Sequence, residues 1–325
     1  MKAINLSLPV GECLTGGQNF QSLGFLFVAI QTLLWGMLAS FQDLDIPLLL
    51  QSPLFSGFIF CVGLCIGSFL NVCIYRIPLD RPVSYPGSHC AVCGSPIEWK
   101  NNIPVLSWWL LRGRAACCGT RIDWRYWLVE ALTAFLFLIL WWKFTPEQWI
   151  AYAVFASGLV CATCIDIDHF MIPDRFTLGG MLAGFIFSAL IPSLHDKATA
   201  WEGFVESFRG AFFGFAILWG VSLIGSFVFR KEAMGAGDFK FLGAMGAFLG
   251  IASIGWIIVI SSIVGSVFGL AIIFGKQGTW GTRIPYGPFL AIAAMAYLFG
   301  GKEITYDWLS NFQDRVMKPV EVRQN

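Results

Sequence analysis

The chain consists of long apolar blocks separated by short polar segments, and these blocks predict membrane-spanning helices. They lie approximately at 23–41, 53–75, 127–143, 149–165, 176–192, 209–229, 241–274 and 284–300. A block of about 20 apolar residues matches the roughly 30 Å hydrocarbon core of a bilayer. The block at 241–274 is too long for one ordinary span, so we expect two short helices that are broken near Gly250. The pattern predicts an all-α polytopic membrane protein with about eight or nine transmembrane helices.

The composition supports a membrane protein and argues against two other classes. Of the 325 residues, 57% are hydrophobic and 13% are charged, whereas about 25% are charged in soluble domains. Too few charged residues remain to cover a soluble surface. The formal net charge is +1, and a nucleic-acid-binding domain would show a basic patch. We therefore expect the chain to lie in a lipid bilayer and not to bind nucleic acid.

One substantial polar segment, residues 76–126, interrupts the apolar blocks, and we call it the loop domain. It holds seven of the 21 basic residues, and such an excess is typical of cytoplasmic loops. Counting spans from it places the N-terminus and the loops 166–175 and 230–240 on the cytoplasmic side. The loops 143–148 and 193–206 then face outward. The count leaves the side of the C-terminus open.

These boundaries predict five segments. The first apolar block follows 22 weakly charged residues, which makes a poor secretory signal, so we interpret it as a retained helix. The segments are an N-terminal extension with an extra transmembrane helix (1–52), a transmembrane helix (53–75), the small cytoplasmic Cys-containing loop domain (76–126), a transmembrane core (127–300) and a polar C-terminal tail (301–325).

Two aspartates at the cytoplasmic ends of apolar blocks are the candidate chemistry. Asp166 ends one block, and Asp238 opens another within Gly235-Ala-Gly-Asp238. Charged residues near membrane depth mark function by default. Two carboxylates in a partly dry site share one proton, which suits amide hydrolysis, since one activates water and the other polarises the carbonyl. The glycines beside Asp238 let the backbone unwind or approach a substrate closely.

A structural interpretation of these aspartates remains open at this point. An aspartate at a helix end is often a cap or a solvated loop residue. Asp168 and Asp174 fit a supporting or capping role, and His169 fits an interfacial side chain better than a base. Neither composition nor spacing decides between the two interpretations.

Four cysteines in the loop domain form the second candidate site. Cys90 and Cys93 make a C-x₂-C pair, and Cys117 and Cys118 follow 23 residues later. Thiol pairs in a cytoplasmic segment favour zinc over a disulfide, and a metal would stabilise a segment too small for its own core. Adjacent cysteines are a poor tetrahedral clamp, and His89 is an alternative ligand. A metal-free loop with reduced cysteines is the competing interpretation.

Several motifs in sequence order resemble the type IV prepilin peptidases, the leader peptidase and N-methyltransferase family. The resemblance covers about residues 53–300. The motifs are Gly67-Ser-Phe-Leu-Asn-Val-Cys-Ile-Tyr-Arg-Ile-Pro78, the C-x₂-C pair, Asn102-Ile-Pro-Val-Leu-Ser-Trp108, Leu111-Arg-Gly-Arg114, Arg125-Tyr126 with Leu128-Val-Glu130, Ile165-Asp-Ile-Asp with Ile172-Pro-Asp174, Gly-x-Gly-Asp at 235–238 and Ile284-Pro-Tyr-Gly-Pro-Phe289.

The resemblance implies an aspartyl endopeptidase in the bacterial inner membrane with its site at the cytoplasmic face. Its substrates would be type IV prepilins or type II secretion pseudopilins, cleaved after a glycine. The new N-terminal residue, commonly Phe, would then be methylated with S-adenosylmethionine. By motif position Asp166 and Asp238 are the essential aspartates, with Asp168 a rival for the first. Asp168, Asp174, Gly235, Gly237 and Lys240 are the supporting residues.

This chain departs from the family pattern in two places. The second Cys pair of the family follows Gly-Arg directly, but here Arg114 is followed by Ala115-Ala-Cys117-Cys118. Cys118 holds the expected place, Ala115 replaces the other ligand, and Cys117 compensates only if the loop is shifted. The second departure is the added helix near 23–41. The sequence has no strand followed by a glycine-rich turn and a helix, which is the pattern that would predict a nucleotide-binding site. The expectation of S-adenosylmethionine as a cofactor therefore rests on the resemblance alone.

Two rival functions belong to other classes. A transporter or channel would also place aspartates and glycine-rich backbone in the membrane, but the two halves of the chain show no matching hydropathy. A catalytically inactive assembly subunit of a pilus or secretion machine is the other rival. Intact Asp166 and Asp238 argue against it, and substrate cleavage separates all three.

Overall fold

The computed structural model describes residues 50, 52–85, 87–230, 234–275 and 284–317. The chain divides into two units, Met1–Ser52 and Pro53–Asn325, and the helices below belong to the second. The predicted helix at 23–41 and the last eight residues of the predicted tail lie outside the described residues. The five segment boundaries therefore stay predictions.

Helices make up nearly all of the regular structure. They are α1 (Pro53–Arg76), α2 (Leu106–Leu110), α3 (Arg125–Lys143), α4 (Pro146–His169), α5 (Asp174–Leu190), α6 (Ala200–Phe229), α7 (Ala236–Leu249), α8 (Ala252–Phe274), α9 (Gly287–Ala296) and α10 (Lys302–Met317), with a π-helical turn at Tyr297–Gly301. Within the described ranges there is no strand, and only two isolated β-bridges occur, both in the loop domain. The predicted all-α class is confirmed.

Five of these helices are long and apolar enough to cross a membrane, namely α1, α3, α4, α6 and α8. This confirms the polytopic character. The predicted break near Gly250 is also confirmed, because that glycine has φ 79° and separates α7 from α8. Helices α5, α7 and α9 have 17, 14 and 10 residues, and a helix needs about 20 residues to span a bilayer. The number of eight or nine spans therefore stays a prediction.

Helix α4 is the central helix of the unit. Thr145 and Gln148 form a capping box at its start, with Pro146 at the first helical position, so its entry is fixed by local chemistry. Its span is 61% buried by protein, whereas that of α8 is 11% buried. The C-terminal end of α4 is thus held on several sides, and that end carries Asp166.

Helices α1 and α3 pack closely and flank the loop domain. A Cβ at Gly63 or Gly67 would lie 2.6 Å from the Cα of Ala134 or Glu130, so only glycine permits this approach. Across the pair, the Asn71 side chain donates to the Tyr126 carbonyl oxygen at 2.9 Å. The loop domain therefore leaves and rejoins the membrane on two helices that are fixed to each other.

The loop domain is tied back onto these two helices. The buried guanidinium of Arg76 donates to the carbonyl oxygens of Pro82, Val83 and Gly87, each at 3.2 Å. Farther along, the Val105 N–H donates to Glu130 Oε2 at 2.6 Å. Such contacts order a segment that has little apolar core of its own.

Candidate active site

Asp166 lies near the C-terminal end of α4 and is buried, with 5% of its surface exposed. One carboxylate oxygen, Oδ2, accepts a hydrogen bond from the backbone N–H of Gly287 at 2.9 Å. Gly287 is the first residue of α9, and the unpaired N–H groups at a helix start favour a negative charge. The Gly287 N–H therefore offsets part of the cost of burying a charged carboxylate here.

Asp238 approaches the same place from a different helix. It lies in the first turn of α7, half-buried, and its N–H donates to the Gly235 carbonyl oxygen at 3.2 Å. Gly235 precedes the helix and has an extended backbone. The glycines of Gly235-Ala-Gly-Asp238 thus end the preceding loop and start the helix within three residues of the carboxylate.

Ile172 packs between the start of α7, which carries Asp238, and the start of α9, whose Gly287 binds Asp166. A Cβ at Gly237 would lie 3.1 Å from Ile172 Cβ, and a Cβ at Gly287 would lie 3.1 Å from Ile172 Cδ1. The side chain of Ile172 is 8% exposed and belongs to the main apolar core. The loop after α4 therefore brings the starts of α7 and α9 together beside Asp166, although these residues are far apart in sequence.

The surroundings of Asp238 favour its protonated form. Asp238 lies outside the five candidate spans, and burial raises the pKa of its carboxyl to about 7, with the negative charge of Asp166 as the second cause. Two nearby carboxylates do not both ionise readily. The pair can therefore share one proton near neutral pH.

The supporting residues identified from sequence fall into two ion pairs around this site. Asp168 binds Arg125, at the start of α3, with 2.7 Å between Oδ1 and Nη1. Asp174 binds Lys240 of α7 at 2.8 Å and also contacts Thr177. The first pair fixes the end of α4 to the end of the loop domain, and the second fixes α5 to the helix that carries Asp238. Both pairs are partly exposed, so they position the site more than they stabilise the fold.

The four loop-domain cysteines come together in one cluster. The Sγ atoms of Cys90, Cys93, Cys117 and Cys118 all lie within 4.8 Å of one another. The separations are 3.7 Å for Cys90–Cys118, 3.3 Å for Cys93–Cys117 and 3.8 Å for Cys117–Cys118. A tetrahedral zinc with Zn–S bonds of about 2.3 Å requires about 3.8 Å between sulfurs. The cluster therefore fits one zinc ion closely, and His89 is not part of it.

Two matching backbone turns explain how adjacent cysteines reach this geometry. In the first, Cys90 N–H donates to Ser95 O and Gly94 N–H donates to Cys90 O. In the second, Ala115 N–H donates to Thr120 O and Gly119 N–H donates to Ala115 O. Gly94 and Gly119 have φ 72° and 71°. Ala115 thus stands where Cys90 stands in the first turn, and Cys117 supplies the sulfur from two residues farther on.

The thiols of this cluster compete for protons when no metal is bound. Hydrogen bonds from the side chain and backbone of Ser95 lower the pKa of Cys93 to about 6. The hydrogen bond to Cys93 raises the pKa of Cys117 to about 12. A divalent cation binds thiolates and removes this competition.

A second concave site lies beside the cysteine cluster. A cavity of about 1120 Å³ opens between the loop domain and helices α1 and α3. Phe69 and Trp108 contribute to its apolar wall, and Glu130 and Trp127 line it from α3. Asp166 and Asp238 are not among its lining residues. The unit therefore offers two separate places for chemistry on the same side as the loop domain.

Sequence reasoning singled out the aspartates and cysteines but gave no role to several residues that the structure places at these sites. Gly287, Arg125 and Glu130 all stood inside motifs that carried the resemblance. Their roles depend on contacts with Asp166, Asp168 and Val105, which are 121, 43 and 25 positions away. A search for glycines beside apolar blocks could have found Gly287, but not its partner.

The fold and site define a class, a polytopic helical membrane protein with paired aspartates at one end of its helices and a four-cysteine loop. Two family models match the chain: the bacterial peptidase A24 N-terminal domain over residues 61–144 and the type IV leader peptidase family over residues 153–270. The first range includes the cysteine cluster and the second both aspartates. No solved structure matches the chain.

Relatives with curated names agree with these models. The chain is 35% identical to a prepilin leader peptidase/N-methyltransferase of Aeromonas salmonicida over 79% of this chain and 94% of the relative. It is 37% identical to one of Xanthomonas campestris, over 76% and 92%. It is 34% identical to a type 4 prepilin-like proteins leader peptide-processing enzyme of Escherichia coli, over 73% and 91%. The chain belongs to the type IV leader peptidase family, and it is a membrane peptidase.

Proposed function

We propose that this chain cleaves the leader peptide from type IV prepilins or type II secretion pseudopilins after a glycine, with Asp166 and Asp238 as the catalytic pair. The observation that supports this most strongly is that the charge of Asp166 raises the pKa of Asp238, while Gly237 beside Asp238 and Gly287 beside Asp166 both pack on Ile172. A site at helix ends suits a substrate whose leader is polar and whose next segment is an apolar helix. Cleavage of a purified prepilin by the purified protein is the test.

The two carboxylates take different roles in this proposal. Asp166, which accepts the Gly287 N–H, stays ionised and removes a proton from the attacking water. Asp238, whose pKa is about 7, is protonated and donates a hydrogen bond to the scissile carbonyl oxygen. As water adds to the carbonyl carbon, charge develops on that oxygen and the proton of Asp238 stabilises it.

The site faces the cytoplasm of a bacterial inner membrane in this proposal. The loop domain holds seven of the 21 basic residues, as cytoplasmic segments do. The ion pair of Arg125 with Asp168 joins the end of this domain to the end of α4. The aspartates and the basic loop therefore lie on one side, where a newly made prepilin keeps its leader.

Cleavage should weaken as the pH rises through about 7, because the protonated carboxyl of Asp238 is lost there. Because the pKa is about 7, the neutral form is half-populated there, predominates at lower pH and is titrated away at higher pH. Initial cleavage rates of one prepilin at fixed detergent, measured at several pH values, check this. A rate that keeps rising well above neutral pH would assign the proton to another group.

Replacing Gly287 by Ala should reduce cleavage by about 10-fold or more without loss of expression. The new Cβ would lie 2.7 Å from Asp166 Oδ2 and 3.1 Å from Ile172 Cδ1, so the carboxylate must move. Initial rates with one prepilin measure the effect. Gly255→Ala is the matched control, because a Cβ there meets nothing within 4 Å. Equal rates for both variants would contradict the role of Gly287.

A second activity, N-methylation of the new N-terminal residue with S-adenosylmethionine, completes the proposal. The names of the relatives include it. The cavity of about 1120 Å³ is large enough for a cofactor of that size beside a peptide end. It is lined by the loop domain, the last turns of α1 and the first turns of α3. The residues present therefore fit a methyl donor and a peptide N-terminus at the membrane surface.

Zinc in the cysteine cluster is part of this proposal. Cys90, Cys93, Cys117 and Cys118 would hold the ion with all four positions filled, and a closed thiolate site is structural rather than catalytic. Two of these residues, Cys90 and Cys117, also line the cavity. The metal would fix the two turns that form one wall of the cavity and take no part in peptide cleavage.

A further inference from the structure

Glu130 is a buried carboxylate that the peptidase mechanism does not use. It is 8% exposed, lies in the second turn of α3 and lines the cavity. None of the ion pairs formed by the described residues involves it. A buried carboxylate without a cationic partner is costly, and a cation delivered by a ligand would offset that cost.

A second unused polar group belongs to a cavity-lining residue of the same helix. Trp127 lines the cavity, and its indole Nε1 is buried without a hydrogen-bond partner among the described residues. Residues three apart lie on one face of a helix, so α3 presents an N–H donor and a carboxylate side by side. The N-terminal residue of a peptide carries the complementary pair, an ammonium followed by a carbonyl oxygen.

The depth of the site matches such a peptide end. Trp109 of α2 contacts Trp127 with ring centroids 5.9 Å apart, and Val105 binds Glu130. Helix α2 therefore lies along the first two turns of α3, a candidate membrane span. The exposed fractions of Leu106, Trp109 and Leu110 are 51%, 60% and 72%, as expected for side chains at a membrane interface. A peptide whose next segment is an apolar helix would end at this level.

We propose that Glu130 and Trp127 form the subsite for the new N-terminus of the cleaved substrate, and that Glu130 accepts the proton which its ammonium must lose before methylation. This rests on the proposed methyltransferase activity. The ammonium proton moves to the Glu130 carboxylate, and the free nitrogen lone pair attacks the methyl carbon. The bond between that carbon and the sulfonium sulfur breaks, its electron pair stays on sulfur, and the proton later leaves to water.

Other ionisable groups around the cavity already have partners or lie at its exposed rim. Helix α1 brings Cys65, Tyr75 and Arg76, α3 brings Tyr126, and the loop domain brings His89, Glu98, Lys100, Arg121 and Asp123 beside two of the cluster cysteines. Arg76 is bound to three carbonyl oxygens, and Lys100 is bound to Glu98. Glu98 and Asp123 are exposed. Glu130 is the buried acid of the set.

Glu130 also has a structural contact that the test must preserve. Val105 has φ 59°, which is strained for a β-branched residue, and its N–H is held by Glu130. Glu130→Gln keeps an oxygen that accepts this N–H but removes the group that takes the proton. Trp127→Phe keeps a six-membered aromatic ring but removes the N–H donor together with the five-membered ring of the indole.

The experiment uses the purified full-length protein, a substrate peptide that already begins at the mature N-terminus, and S-adenosylmethionine with a labelled methyl group. For Glu130→Gln we expect a methylation rate about 10²-fold lower near pH 7. The deficit should shrink as the pH rises past the amine's own pKa of about 8, because solution then removes the proton. Cleavage of the intact prepilin and affinity for S-adenosylmethionine should match the wild type. Trp127→Phe should raise KM for the peptide more than it lowers kcat.

Each of the other possible outcomes contradicts a specific part of the proposal. A deficit that is equal at all pH values would make Glu130 a positioning residue and overturn the proton transfer. Unchanged methylation would overturn the subsite, and lost affinity for S-adenosylmethionine would assign Glu130 to the methyl donor instead. A wild-type protein that transfers no methyl group to the peptide would overturn the methyltransferase activity itself.

Discussion

Asp166→Asn and Asp238→Asn should each abolish prepilin cleavage, lowering the rate by about 10³-fold or more. Asparagine keeps the size and hydrogen-bonding shape of aspartate but neither accepts a proton from water nor donates one to the carbonyl oxygen. Asp166 is buried against Gly287 N–H, and its charge raises the pKa of Asp238, so each variant removes one half of an interacting pair. Initial rates with a purified prepilin measure the loss.

The controls for these variants separate catalysis from folding. Asp80→Asn changes an exposed aspartate of the loop domain whose φ of 50° asparagine tolerates, and this variant should cleave normally. Asp168→Asn removes the ion pair with Arg125 and should keep part of the activity. Complete loss in Asp168→Asn together with an active Asp166→Asn would move the catalytic role from Asp166 to Asp168.

The second large effect concerns the cysteine cluster. The wild-type protein should hold about one zinc ion per chain, and Cys90→Ala or Cys118→Ala should lose it. Structural zinc contributes on the order of 10 kcal/mol to the folding of small domains, so the loop domain of these variants should become sensitive to proteolysis. Metal analysis and limited proteolysis check both results. Methylation should fall with the metal, whereas cleavage should persist, because Asp166 and Asp238 lie on other elements.

The position of Cys117, two residues beyond the equivalent of Cys90, allows a sharper test of the zinc site. Cys117→Ala should lose zinc, and adding Ala115→Cys to it should restore binding, since Ala115 occupies the position equivalent to Cys90 in its turn. Cys61→Ala is the matched control, because that exposed cysteine lies in α1 away from the cluster. Zinc that survives Cys117→Ala, or a wild-type protein without zinc, would contradict the four-cysteine site.

The helices were predictable from sequence because bilayer thickness fixes their length and composition. The break at Gly250 was predictable for a related reason, since one long block exceeded a single span. The spans themselves were harder to count, because α7 and α9 are apolar but only 14 and 10 residues long. Their burial depends on packing against α4 and α6, which apolar composition does not encode.

The candidate site was predictable only in part. The aspartates stood out because charge is rare in apolar blocks, and their common side followed from counting spans. The partner of Asp166 could not be predicted, since the N–H of Gly287 comes from the backbone 121 positions later. The cysteine cluster shows the same limit. Spacing made Cys117 and Cys118 a poor clamp, and only the paired turns around Gly94 and Gly119 show how four sulfurs meet.

The measurement that tests the central claim most directly is the intact mass of a model prepilin after incubation with the purified wild-type protein in detergent. We predict a single product shortened at the bond after the leader glycine, with S-adenosylmethionine adding one methyl group to that product and having no effect on the cleavage itself. A well-folded protein that leaves several prepilins and pseudopilins at full length would contradict the peptidase assignment of Asp166 and Asp238. An inactive assembly subunit would then be the better description.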